Sequence, residues 1–253
     1  MRILEFGDKK NEIVILIHGL NIPWQMWNEE INIFSEKYHV LVPVLSGHDI
    51  EQGDPFISID EEAKQIKEFV LTNYGSSVYM IIGTSMGAAI AFTVVADGKL
   101  HSDYLVFDSG VFVSSNPLIR SINNRMQLSY KNKTKSRDKK TLEQLVIAYG
   151  EKLAPYYVEL ADVMTDDNLL AAGNAIGKFS LPKQLQLPNT NIIAFHGTTS
   201  MEIMAKKAAK YLRKHFPNAY IKAFQGNHHA QLSVNQPSLF VEEIEKAKQL
   251  FNL

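Results

Sequence analysis

Ser85 lies in Gly83-Thr84-Ser85-Met86-Gly87, between two apolar runs. This is the Gly-x-Ser-x-Gly pattern that holds a serine on a sharp strand-to-helix turn, with glycines where a Cβ would collide with neighbouring backbone. A serine hydroxyl is almost wholly protonated at neutral pH, so it attacks a carbonyl only when a nearby imidazole takes its proton. Among the eight histidines, His228 and His229 sit side by side in a polar loop that opens with Gly226-Asn227. Complete chemistry also needs an acid to orient the base and N–H donors for a developing oxyanion. A five-residue pattern also arises by chance, so the elements around it must decide.

Those elements alternate. A short edge strand over residues 2–6 precedes the apolar run 13–17 (IVILI), whose composition suits a strand buried on both faces, ending in His18-Gly19-Leu20-Asn21. Trp24, Trp27, Ile31 and Phe34 come next at helical spacing, then a strand over 39–45 and the loop Ser46-Gly47-His48-Asp49. Residues 57–74 form an amphipathic helix, with Ile59, Ala63, Ile66, Phe69 and Val70 on one stripe. It leads to the strand 78–82, the turn at Ser85 and a helix to Ala96. Residues 78–96 carry no charge and approach the length of a membrane span, but the glycines and the Thr-Ser pair at their centre break the helical period. They read as a buried strand and a buried helix.

A strand over 104–107 ends in Asp108-Ser109-Gly110, and another over 191–195 ends in His196-Gly197-Thr198-Thr199-Ser200. A helix over 201–215, a strand over 220–224 and a helix over 239–251 complete the chain. The alternation implies an α/β fold with a doubly wound, mostly parallel sheet flanked by helices. Residues 111–188 interrupt it with no strand pattern and helices over 142–153, 155–164 and 167–178. The chain therefore divides into a core of residues 1–110 and 189–253 and a helical cap or lid insertion, 111–188. The basic run 131–140 (KNKTKSRDKK) reads as a solvated loop.

Composition narrows the function classes. A chain of 253 residues with 45% apolar content can build a substantial core. Its net charge of -1 provides no field for nucleic acid or an anionic membrane. The absence of cysteine excludes disulfides, thiolate metal sites and a cysteine nucleophile. Glu5 and Asp8 stand where a signal peptide needs an unbroken apolar segment, so a cytoplasmic protein is expected. No cofactor motif or metal-ligand spacing is found, and monomer and homodimer remain equally open.

Together, His18-Gly19 after an early strand, the Ser85 turn, the helical insertion and a loop histidine before the last helix resemble the α/β-hydrolase superfamily. The stretch from His229 to Pro237 (HAQLSVNQP) looks like the histidine loop of small bacterial members with a lid. The resemblance implies Ser85 as nucleophile and, on the family's Gly-x-Gly-His pattern, His229 rather than His228 as base. It implies the backbone amides of Leu20 and Met86 as the oxyanion hole, and makes His18 an organiser of loops. His48 reads as a solvated residue that could reach the cleft rim, His39, His101 and His215 as surface residues, and His196 as a strand-end residue.

The acid departs from the family pattern, because the usual position after the sixth strand reads Thr198-Thr199-Ser200. Three readings stay open: Asp108 at the end of the preceding strand, placed first; Glu202, reaching back from the next helix; or Ser200 or a water orienting His229 in a weak enzyme. The activity implied is a carboxylesterase-like serine hydrolase of a small ester or thioester, with an acyl-enzyme on Ser85. The alternatives are a ligand-binding or weakly active protein on the same fold, or a C–C or amide hydrolase. Tyr156, Tyr157, Met126, Met164, Phe112 and Trp24 are candidates for an apolar acyl pocket. The expected partner is a small-molecule substrate, with neither nucleic acid nor membrane.

Overall fold

The computed structural model describes residues 1–51, 53–181, 187 and 189–251. One sheet contains β1 (Arg2–Phe6), β2 (Ile13–Ile17), β3 (His39–Val44), β4 (Ser77–Thr84), β5 (His101–Asp108), β6 (Asn191–Gly197) and β7 (Tyr220–Phe224), at the seven places where the apolar runs put strands. Their spatial order is β1-β3-β2-β4-β5-β6-β7; β1 runs antiparallel to β3 and all other neighbours are parallel. The chain enters at the edge in β1, crosses to β2, returns to β3 between them, and then passes to the far side of β2, stepping outward from β4 through β5 and β6 to β7. The switch of direction falls between β2 and β4, and the crevice beyond strand ends at such a point is where open α/β sheets bind ligands. Here those ends carry His18 and Ser85.

Helices α1 (Asn28–Phe34), α2 (Ile59–Asn73), α3 (Met86–Val95), α4 (Pro117–Lys135), α5 (Lys139–Val163), α6 (Asp166–Lys178), α7 (Ile203–His215), α8 (Gln231–Asn235) and α9 (Pro237–Phe251) complete the structure. The two-residue period of the strands sends neighbouring side chains to opposite faces. Ile13, Ile15 and Ile17 pack with Ile66 and Val70 of α2, Ile90 and Phe92 of α3 and Leu212 of α7. Val14 and Leu16 pack with Trp27, Ile31 of α1 and Phe240 and Ile244 of α9. Each large side chain buried this way contributes about 1.5–3 kcal/mol. Helix α3 is buried along nearly its whole length, which fixes the turn at its start.

The insertion between β5 and β6 differs from expectation in three respects. The basic run is not a loop: Lys131 and Thr134 lie buried on the inner side of α4, while Lys133 and Lys135 face outward. Lys131 pairs with Asp166 and donates to the carbonyl of Met164 at 3.3 Å, so its charge holds α4 to the start of α6. The chain turns only at Arg137, whose φ is +61°, before Asp138 caps α5 by accepting from the amide of Thr141 at 2.9 Å. Finally, α5 continues through Pro155 and breaks instead at Gly150, with φ +77° and ψ +165°. The expected boundary at Pro188 falls outside the described residues. No described helix is long and apolar enough to cross a membrane.

Candidate active site

Ser85 sits between β4 and α3 with φ +54° and ψ -112°, a strained conformation for a residue with a side chain. Its neighbours explain how this is held. A Cβ on Gly83 would lie 2.3 Å from the carbonyl oxygen of Gly87, and one on Gly87 would lie 2.1 Å from that of Ile17. The backbone therefore turns within a space that only glycine permits. Asn21, Ser109 and Ala230, which surround Ser85, also have positive φ, at +56°, +53° and +58°. Such residues cost of order 1–3 kcal/mol each and persist where the surrounding structure over-determines them.

The loop after β7 brings His229 to Ser85, with Nε2 2.8 Å from the serine Oγ. Nδ1 of His229 lies 2.6 Å from Oε1 of Glu202, which is fully buried at the end of a 3-10 turn, Ser200–Glu202, ahead of α7. The other carboxylate oxygen of Glu202 accepts from the amide of Gly197 and from the hydroxyl of Ser109, both at 2.9 Å. Burial works against the charge on Glu202, yet the His229 hydrogen bond and charge and the two further donors hold its pKa below the usual value. An ionised Glu202 fixes the tautomer: Nδ1 donates to it, and Nε2 is free to accept the Ser85 proton. His228 is exposed, and its amide donates to Gln231.

The carboxylate against the imidazole is thus Glu202, which corrects the placing of Asp108 first. Asp108 is buried, but Oδ2 accepts from the amide of Ser233 at 2.9 Å, and Oδ1 from the Ser109 hydroxyl at a longer 3.3 Å. Burial raises its pKa despite the Ser233 hydrogen bonds, and the charge of Glu202 adds to the rise. Ser109 links the two carboxylates, and its Oγ also accepts from the amide of Ala230 at 2.9 Å. Asp108 thereby ties down the start of α8, just beyond the histidine, without touching the ring. Ser200 is the exposed first residue of the 3-10 turn, and the place at His229 Nδ1 that the third reading assigned to it is taken by Glu202.

Met86 is the first residue of α3, so its amide is among those without a carbonyl partner inside the helix. Leu20 lies in the turn after β2, which packs close against the serine: a Cβ on Gly19 would be 3.2 Å from the Cβ of Ser85. Two histidines set this turn. His18 Nε2 accepts from the amide of Leu45 at 3.1 Å and Nδ1 donates to the carbonyl of Gly19; His48 Nε2 accepts from the amide of Asn21 at 3.0 Å and Nδ1 donates to the carbonyl of Ser46. Burial keeps both neutral, lowering His18 to about 3, with help from His48, and His48 to about 4. His48 is therefore not the solvated rim residue expected. His39 is also buried, against Glu5 at 2.9 Å, rather than on the surface.

A cavity of about 520 Å³ opens over Ser85 and His229, lined by residues of the core and of the insertion. Of the anticipated pocket residues, Met126 and Tyr157 line it. Trp24 packs instead near Phe6, with ring centroids 6.5 Å apart, Phe112 lies among Phe92 and Phe107, and Met164 lies with Leu160 and Leu169 inside the insertion. Tyr156 is half-buried outside the lining. Tyr130, Gln127 and Arg120 of α4 and Tyr149 of α5 also line the cavity, and sequence reasoning missed them. The Asn116-Pro117 start of α4 was the available signal, masked by the polar, basic character of residues 120–135. No group of three or more His, Cys, Asp or Glu suited to a metal occurs among the described residues.

No protein-family model matches the chain, and no curated protein does. Solved structures match over nearly its whole length. A putative α/β-hydrolase family protein from Desulfitobacterium hafniense is 19% identical, with a TM-score of 0.78 over 97% of this chain and 99% of its own. A structure from a study of carboxylesterases of Nitrososphaera gargenis is 14% identical, with a TM-score of 0.72 over 98% and 94%. A thermophilic esterase from Thermogutta terrifontis, with malate bound, is 13% identical, with a TM-score of 0.73 over 98% and 93%. With this likeness and the sheet order, the chain has the α/β-hydrolase fold.

Proposed function

We propose that this protein is a serine hydrolase of small carboxylic esters or thioesters, with Ser85, His229 and Glu202 as its triad. The observation that carries the reading is the unbroken path from Ser85 Oγ through both ring nitrogens of His229 to a buried carboxylate, at 2.8 and 2.6 Å. In this reading Ser85 Oγ attacks the carbonyl carbon as its proton passes to His229 Nε2. Glu202 holds the ring in the required tautomer and stabilises the imidazolium. The amides of Leu20 and Met86 would receive the oxyanion, each worth about 3 kcal/mol in comparable sites. His229 returns the proton to the leaving alcohol or thiol, and a water that it then deprotonates releases the acid from Ser85.

The ground for a purely ligand-binding role is the missing carboxylate near Ser200, and Glu202 against the imidazole removes it. A fluorophosphonate probe tests the reaction: labelling of Ser85 is expected in the native protein and not in Ser85→Ala, whose ester turnover should fall by roughly six powers of ten. Failure of native Ser85 to label under conditions that label a control hydrolase would overturn the reading. The small-ester reading likewise predicts turnover of short-chain 4-nitrophenyl esters.

A further inference from the structure

Among the described residues, the cavity over Ser85 is lined by one permanent cation, Arg120 of α4, and by no Asp or Glu. Two of the arginines among the described residues are half-buried, Arg2 and Arg120. Arg2 is held in the expected way for a guanidinium leaving water, by Asp49 through two hydrogen bonds of 2.8 and 2.9 Å. Arg120 has no carboxylate partner among the described residues. Nη1 reaches the carbonyls of Ser115 and Gly177 only at 3.4 Å, the outer limit of a hydrogen bond, and Nε and Nη2 are left without a described partner.

The position of Arg120 is nevertheless built. A Cβ on Gly177 of α6 would lie 2.6 Å from Arg120 Cδ, and one on Gly173, a turn earlier, would lie 2.4 Å from Asn124 Oδ1. Two glycines one turn apart on α6 thus admit Arg120 and Asn124, one turn apart on α4, against the helix surface. Asn124 is fixed further by its hydrogen bond to Asn174 at 3.0 Å. The apolar stem of Arg120 is packed against α6, and Arg120 lines the same cavity as the serine.

Resting on the hydrolase reading above, we infer that the substrate carries a carboxylate, which Arg120 binds while Ser85 attacks the ester. A planar guanidinium with unused donors on a half-buried stem matches a carboxylate through two parallel hydrogen bonds. Charge alone allows the carboxylate on either side of the scissile bond, so the test has two charged arms. Mono(4-nitrophenyl) glutarate carries the charge in the acyl part, and the valerate ester of 4-hydroxybenzoate carries it in the leaving group. 4-Nitrophenyl valerate is the neutral control.

For one charged ester, kcat/KM taken relative to the neutral ester is expected to fall about 10–100-fold in Arg120→Gln, mainly through KM. Arg120→Lys should restore part of the loss. Glutarate should inhibit turnover of the neutral ester competitively in the native protein and lose that effect in Arg120→Gln. Equal treatment of charged and neutral esters by native and variant proteins, with no competition by glutarate, overturns this inference and leaves the hydrolase reading standing. Absence of all ester turnover together with an unlabelled Ser85 overturns both.

Discussion

Asp108 and Glu202 are two buried carboxylates beyond the ends of neighbouring strands, linked through the hydroxyl of Ser109, yet their environments set them to different tasks. Glu202 gathers donors: the imidazole of His229, the Gly197 amide and Ser109, enough to overcome burial and keep it charged. Asp108 gathers fewer, chiefly the Ser233 amide, and burial prevails. The difference teaches that a carboxylate at the right strand end is not thereby the acid of the site. What counts is which group can direct an oxygen at Nδ1 while its remaining lone pairs are satisfied.

The comparison can be broken most sharply at Glu202. Glu202→Gln is expected to lower kcat by about three to four powers of ten, as loss of the orienting carboxylate does in serine proteases, with the protein still folded by circular dichroism. Asp108→Asn should cost little more than about tenfold in kcat, but about 1–3 kcal/mol of stability in urea unfolding, because a buried hydrogen-bond network is disturbed. Reversal of the two kinetic effects would reverse the roles. Ser109→Ala removes the link between them and an acceptor for the Ala230 amide; a smaller fall in kcat, of up to about tenfold, with about 1–2 kcal/mol of destabilisation is expected.

A third carboxylate sharpens the comparison from the other side. Glu30 of α1 is fully buried, and neither of its oxygens has a hydrogen-bond partner among the described residues. Burial raises its pKa well above the usual value, with the charges of Glu29 and Asp108 adding to the rise. A raised folded pKa means that its neutral form contributes full stability below the unfolded value near 4.5, and that this is lost as pH rises toward the folded value. Glu30→Gln should therefore match the native protein near pH 4 and outlast it at higher pH, by up to about 1.4 kcal/mol per pH unit across that window. Parallel melting curves for the two proteins from pH 4 to 8 would show that Glu30 is not held neutral. Its activity should remain near native, since the Glu30 oxygens have no hydrogen bond to His229 or to any other described residue.

Much of the fold and site is legible in the sequence because burial on a sheet writes itself into local composition. IVILI, β-branched and continuous, reads as a strand with both faces covered, and the small and apolar residues after Ser85 read as a buried helix, as the structure has them. The Ser85 turn is legible as well, since it depends on local backbone constraints, and the His229 loop is legible through its resemblance to the family's histidine loop. Helix α4 is not: it leaves Leu118, Ile119, Ile122 and Met126 exposed and buries Lys131 and Thr134 instead, so its sequence marks no apolar inner face, and Lys131 and Arg120 gain meaning only from Asp166 and from the glycines of α6. His39 and His48 mislead for the same reason. A histidine in a polar stretch looks solvated until the strand or loop that covers it is known.

Sequence alone determined the order of strands and helices and the sharp turn at Ser85, because these follow from periodicity and from local backbone constraints, whereas His229 as the base came from the family resemblance. Tertiary structure decided which carboxylate meets His229 and which cation faces the cavity. Glu202 and His229 are 27 residues apart, and Ser85 is 144 from His229. Hydrogen bonds are directional over about 3 Å, and a choice between two buried acids, one at the end of β5 and one in the turn after β6, rests on offsets of that size, which only the packed sheet and its loops define.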